Sequence, residues 1–146
     1  MTTADTSDRG SAPLDAFLAE PRNIMVAALR ADGRPQMTPN WFYWDGARFY
    51  ISTTRSRQKY RNFKRDPRVQ LALDDPTAFR TALIDGTVEI WEDLDRGLPY
   101  FLKIREKHGR PVEDPATVKD GLAREGRVLL VVTPDRAPSA WTQWGL

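Results

Sequence analysis

Apolar residues fall in short runs along this chain, most of them bounded by Asp-Gly or Pro. Residues 23–30 (Asn-Ile-Met-Val-Ala-Ala-Leu-Arg) are apolar at most positions, as a strand covered on both faces would be. Asp32-Gly33 signals a hairpin into a second strand over 36–44, and Asp45-Gly46 a further turn into a strand ending near Thr53. Residues 69–73 alternate with period two, and a long strand follows over about 79–91. Asp85-Gly86 inside that strand predicts a bulge or bend. Residues 127–133 (Arg-Val-Leu-Leu-Val-Val-Thr) read as the last core strand. Helical signals fill the gaps. Ser11 is placed to cap a short amphipathic helix that Pro21 ends. Leu94, Leu98, Phe101 and Leu102 mark a helix over 92–107, and Asp114-Pro115 opens another.

Strands joined by hairpins, with helices pushed to the ends and gaps, argue against a parallel βαβ sheet. An antiparallel sheet of about six strands must remove its edges, and closing into a small barrel does so. The expected fold is mainly β (α+β), a six-stranded antiparallel barrel with short peripheral helices, in one domain over residues 11–146. Residues 1–10 are polar and expected to be a disordered tail.

Charge changes the picture at one place. Between Asp45 and Asp66 there is no carboxylate, yet Arg55, Arg57, Lys59, Arg61, Lys64 and Arg65 all lie there. They follow a strand and open a helix expected from Ser56 to just before Asp66-Pro67. Free backbone N–H groups and the helix dipole favour an anion at such a start, so the segment reads as a phosphate clamp for a cofactor. With Ser56 as N-cap, Lys59 and Asn62 share one helix face, and Tyr60 and Phe63 share another that would pack on the barrel. From charge alone, a solvated basic helix that binds nothing fits equally well.

Composition limits the chemistry. The 146 residues include no cysteine and one histidine, His108. A disulfide, a thiolate nucleophile and a Cys- or His-rich metal site are therefore out of reach. No Gly-x-Ser-x-Gly elbow accompanies His108, which reads as a solvated residue near a helix C-terminus. The net charge of +2, from 22 basic and 20 acidic residues, demands no nucleic-acid surface. No apolar run approaches the roughly 20 residues that span a membrane, and a cytoplasmic location is expected.

The run 31–36 (Ala-Asp-Gly-Arg-Pro-Gln), then 41–46 (Trp-Phe-Tyr-Trp-Asp-Gly) and 49–54 (Phe-Tyr-Ile-Ser-Thr-Thr), together resemble the split β-barrel, FMN-binding superfamily of pyridoxamine 5′-phosphate oxidase. With residues 57–68 (Arg-Gln-Lys-Tyr-Arg-Asn-Phe-Lys-Arg-Asp-Pro-Arg) and 86–89 (Gly-Thr-Val-Glu), the chain is most similar in pattern to the actinobacterial branch that uses the deazaflavin F420. The resemblance spans about residues 14–133. It implies a homodimer with the cofactor in a groove at the subunit interface. It also implies that Arg57, Lys59 and Asn62 hold the phosphate-bearing tail. Met37, Thr38, Pro39 and Asn40, with Ile51, Ser52, Thr53 and Thr54, would line the ring through their backbone. Arg55 joins the cofactor set on electrostatic grounds alone. The tail of the chain lacks the Arg-x-His element of pyridoxamine phosphate oxidases, which argues against vitamin B6 oxidation.

Hydride transfer from a reduced deazaflavin needs position and a dry pocket more than acid or base side chains, so no catalytic residue and no metal are expected. Trp41, Tyr43, Trp141 and Trp144 are the candidates for the substrate pocket, with core packing or pinning the tail to a partner chain as the other readings. Tyr50 and Tyr60 could donate a proton, or simply pack. The expected activity is reduction of an activated double bond in a small enone-, quinone- or tetrapyrrole-like molecule. An FMN-binding oxidoreductase, a cofactor-binding protein without turnover, and a single-strand-binding barrel remain as alternatives.

Overall fold

The computed structural model describes residues 10–146. The first nine residues of the expected tail lie outside them. Ser11 caps α1 (Ala12–Ala19) as expected, accepting a hydrogen bond from the Leu14 amide at 3.1 Å. Then come β1 (Ile24–Leu29), β2 (Pro35–Asn40), β3 (Phe42–Trp44) and β4 (Phe49–Thr54). After α2 (Gln58–Arg65) the chain forms the hairpin of β5 (Arg68–Asp75) and β6 (Arg80–Trp91). Helices α3 (Leu94–Lys107) and α4 (Pro115–Glu125) precede β7 (Arg127–Pro134), and a 3₁₀ turn at Pro138–Ala140 leads to β8 (Thr142–Trp144).

The sheet has eight strands rather than six, ordered β2-β1-β5-β6-β7-β4-β3 with β8 added on β6, all pairs antiparallel. Two things account for the excess. The tail supplies β8, and the strand expected over 36–44 breaks at Trp41 into β2 and β3. Those two halves occupy opposite edges of the sheet yet are one residue apart in sequence. Consecutive Cα atoms sit about 3.8 Å apart, so the sheet has to curl until its edges meet at Trp41. The Asn40 Nδ2 donates across that seam to the Ser52 carbonyl at 3.4 Å.

Curling divides the core in two. Ile24, Val26, Phe42, Phe49, Ile51, Leu71, Ile84, Leu130 and Val132 fill the barrel interior under α1. On the other face Tyr50, Trp91, Leu129 and Val131 meet Phe101 and Ile104 of α3 and Val118 and Leu122 of α4. That second layer is why the apolar run of β7 does not alternate with polar residues. Gly86 marks no bulge: Asp85 and Gly86 pair in register with Gln70 and Val69. Glycine fits there because a Cβ would lie 2.9 Å from the Thr133 carbonyl oxygen and 2.7 Å from Val132 Cγ1. Among the described residues no helix is long and apolar enough to cross a membrane.

Candidate functional site

The seam where the barrel edges meet opens into a groove. Its first half, about 500 Å³, is lined by Thr38, Pro39 and Asn40 of β2, Ser52 and Thr53 of β4, the start of α2, and Arg127 of β7. Its second half, of similar volume, shares Pro39, Asn40, Ser52 and Arg127 and runs past Trp41 to a wall made by α3 and α4. Period-two alternation selects which side chains reach it. Thr38 and Asn40 point in, while Met37 lies on the opposite side of β2, 57% exposed. Ser52 reaches the groove; Ile51 is in the barrel core, and Thr54 is buried with its hydroxyl 2.8 Å from that of Ser56. Thr53 borders the groove, but its side chain shares the inward face of Ile51 and is 2% exposed, and its buried hydroxyl has no hydrogen-bond partner among the described residues.

Of the six basic residues over 55–65, the structure commits four elsewhere. Arg55 Nε pairs with Glu92 at 3.1 Å, and Lys64 Nζ reaches the same carboxylate at 3.4 Å. Those contacts and the Tyr60 hydroxyl hold the Glu92 carboxyl below its ordinary pKa. Arg61 donates to Gln58 Oε1 at 2.7 Å, and Arg65 to the Leu29 carbonyl at 2.5 Å. Arg55, placed in the cofactor set on electrostatic grounds, thus pairs with Glu92 at the surface and does not line this groove. Arg57 and Lys59 remain. Neither ion-pairs with a carboxylate among the described residues, and both line the groove beside Arg127.

Lys59 is 7% exposed. Burial, then the nearby Arg57 and Arg127 charges, press its ammonium down to about 8. A half-desolvated cation facing two others is costly, and an anion in the groove would relieve it. Arg127 is the site residue that sequence reasoning missed. The β4–β7 register sets it opposite Thr54, its guanidinium 3.3 Å from the Ser52 hydroxyl and paired with Glu125 at 2.7 Å. No local pattern marks it, since it reads only as the first residue of an apolar strand.

Two expectations about α2 change. Ser56 is not its N-cap; Arg57 is, in extended conformation and without a side-chain cap bond, because the Arg57 amide closes a turn onto the Thr54 carbonyl at 3.1 Å. The first turn therefore presents uncapped amides beside the groove. Asn62 is fully buried and does not line it. Its Nδ2 donates to Gln36 Oε1 at 2.9 Å, and its Oδ1 accepts from Gln58 at 3.1 Å and Arg65 at 3.2 Å. Asn62 positions α2 on β2, and the inward face of the helix is Lys59, Asn62 and Phe63. Tyr60 instead turns outward, its hydroxyl 2.7 Å from Glu92.

Of the four aromatic candidates only Trp41 lines the groove. Tyr43 packs in the outer cluster near Tyr50. Trp141 is buried in the barrel core against Trp44 and Phe49, its indole donating to the Arg136 carbonyl at 2.9 Å. Trp144 pairs with Thr81 on β8, exposed and away from the groove. Tyr50 packs in the outer cluster: it is fully buried, stacked on Tyr100 and bonded to Asp45 at 2.7 Å, and burial raises its pKa. His108 is not a solvated residue. Its ring stacks on Trp41 with centroids 4.8 Å apart, its Nε2 lies 3.3 Å from the Phe42 amide, and partial burial lowers its pKa. The histidine thus fixes Trp41 at the lip of the groove.

Residues 12–139 match the family model described as pyridoxamine 5′-phosphate oxidase. A solved structure described as an F420 reductase is 32% identical, with a TM-score of 0.69, and the match covers 88% of this chain and 94% of that one. A conserved hypothetical protein from Mycobacterium tuberculosis is 24% identical over 92% of this chain and 84% of its own, at a TM-score of 0.78. The haem storage protein HutZ from Vibrio cholerae shares the fold at 19% identity, with 86% and 89% of the two chains covered and a TM-score of 0.68.

Proposed function

The chain belongs to the pyridoxamine 5′-phosphate oxidase family, and we propose that within it this protein is an F420-dependent reductase. The observation that carries this reading is the pair of uncommitted cations, Arg57 and Lys59, set beside Arg127 at one end of a groove. A buried lysine with no counter-ion among the described residues suits a phosphate-bearing tail. The 32% identity to a protein described as an F420 reductase favours the deazaflavin over a flavin.

Reduced F420, when bound, supplies the hydride for an activated double bond. The chain's own part is binding, orientation and exclusion of water. Arg57, Lys59 and the uncapped first turn of α2 hold the anionic end. The Thr38–Asn40 and Ser52–Thr53 walls define the slot beside them, and Asn40 and Ser52 tie those walls together. Trp41, backed by His108, gives a flat apolar lip.

A second copy of the chain is the proposed cover. β2 is an edge strand with one side unpaired, and Met37 and Trp41 on and beside it are 57% and 41% exposed. Docking a second barrel there would close the groove and bury both residues. The test titrates the purified chain with F420 and with FMN, and measures its mass in solution. Tighter binding of F420 by a dimer supports the reading. FMN remains the second reading, because a phosphate clamp serves its phosphomonoester as well. Preferential FMN binding would replace the first with it.

A further inference from the structure

A separate cavity, of about 380 Å³, lies between the end of α1, β3 and α3, and it shares no lining residue with the groove. Leu18, Tyr43 and Trp44 give it an apolar and aromatic wall. Lys103, Glu106 and Lys107, three and four apart on α3, give it a polar one.

Lys107 stands apart from its neighbours. Its Nζ donates to the Leu18 carbonyl at 2.7 Å and lies 3.2 Å from the centre of the Phe42 ring. Phe42 is fully buried, so the amine sits at the edge of the barrel core. It makes no ion pair among the described residues. The ionisable groups around it are Arg22 after α1, Tyr43 of β3, Lys103 and Glu106 on its own helix, and the adjacent His108. Burial, and then the Arg22 charge, press its ammonium down to about 7, so near neutral pH a large share of the molecules carries a free amine there. Lys103 lines the same cavity but is exposed. A desolvated lysine beside a cavity is the arrangement that forms imines with carbonyl compounds.

We propose that Lys107 is a covalent site for an aromatic aldehyde, which bonds to Nζ through its carbonyl carbon and lays its ring against Tyr43 and Trp44. The site is independent of the cofactor reading. The amine nitrogen adds to the carbonyl carbon, both of its protons pass to the carbonyl oxygen, and that oxygen leaves as water. No oxidant or reductant is consumed. Once protonated from solvent, the imine nitrogen keeps one N–H for the Leu18 carbonyl and a positive charge over the Phe42 ring, so both present contacts survive the reaction. The aromatic wall selects a ring over an alkyl chain, and the volume has room for one substituted ring.

The probe is benzaldehyde, with acetaldehyde as the comparator, trapped on the full chain by cyanoborohydride and located by peptide mass mapping. At pH 7 benzaldehyde is expected to label Lys107 at least tenfold faster than Lys103, with a rate that saturates at millimolar aldehyde. The Lys107 rate should be half its plateau near pH 7, while the Lys103 rate still climbs at pH 9. Lys59, the other lysine held low by burial, separates an aromatic site from simple basicity. The ratio of Lys107 to Lys59 labelling should be at least fivefold higher with benzaldehyde than with acetaldehyde. Labelling of Lys107 no faster than Lys103, a rate still linear at millimolar benzaldehyde, or one ratio for both aldehydes would overturn the proposal. Lys107 would then be only a tether between α3 and α1.

Discussion

Lys59→Met removes the charge on which the cofactor reading turns while keeping most of the side-chain volume. In the cofactor-free chain the ammonium is held at about 8, against an ordinary 10.5. Restoring it fully would be worth roughly 3 kcal/mol at 1.36 kcal/mol per pKa unit. Lys59 lines the groove, and an anionic partner there would restore only part of it, so about half, near 1.5 kcal/mol, is the expected gain. Kd for F420 should therefore rise at least about tenfold in the methionine variant. The sign of the pH dependence follows. Binding an anion raises the Lys59 pKa above about 8, so the complex holds a proton that the free chain loses between about 8 and 10.5. Wild-type affinity should be flat below pH 8 and weaken above it, while the variant stays flat throughout. Stability moves the other way. The unfolded chain holds more protons than the folded one in the same window, so the Lys59 contribution is present above 10.5 and lost as pH falls through about 8. At pH 7 the variant should melt at a higher temperature than the wild type. Isothermal titration at pH 7, 8, 9 and 10, with melting curves alongside, reads both effects. Unchanged affinity at pH 7 together with an unchanged pH profile would refute the clamp.

Arg55→Ala breaks an exposed pair with Glu92, so it should cost under about 1 kcal/mol of stability and leave F420 affinity within twofold; a tenfold loss would return Arg55 to the site. Asn62→Ala leaves the Gln36 amide oxygen without its partner and frees α2, costing about 2–3 kcal/mol in urea denaturation. A cost under about 0.5 kcal/mol would show that Asn62 does not anchor the helix. Trp141→Ala opens the barrel core and should cost about 3–5 kcal/mol, while the folded fraction binds F420 with wild-type affinity. A tenfold weaker Kd there would place the indole at the site after all.

Local signals were legible wherever local physics decides. Ser11 and Asp114 cap helices because a side-chain oxygen reaches an amide three residues on, and Asp32-Gly33 and Asp45-Gly46 turn because glycine accepts positive φ. The basic gap before Asp66 likewise needed only counting. What the chain order hides is which charges are already answered. Arg55 and Lys64 meet Glu92 from 37 and 28 positions away, which leaves Arg57 and Lys59 as the free pair. Arg127 reaches the same groove through strand pairing 73 residues after Thr54, and Trp141 is drawn into the core by a tail whose path no periodicity reveals. The sequence by itself determined most of the elements, their antiparallel character and the position of the basic segment, because these depend on neighbours a few residues apart. Only the closure of the sheet at Trp41 decided which residues share a groove, since contact across a barrel seam depends on register and curvature rather than on spacing along the chain.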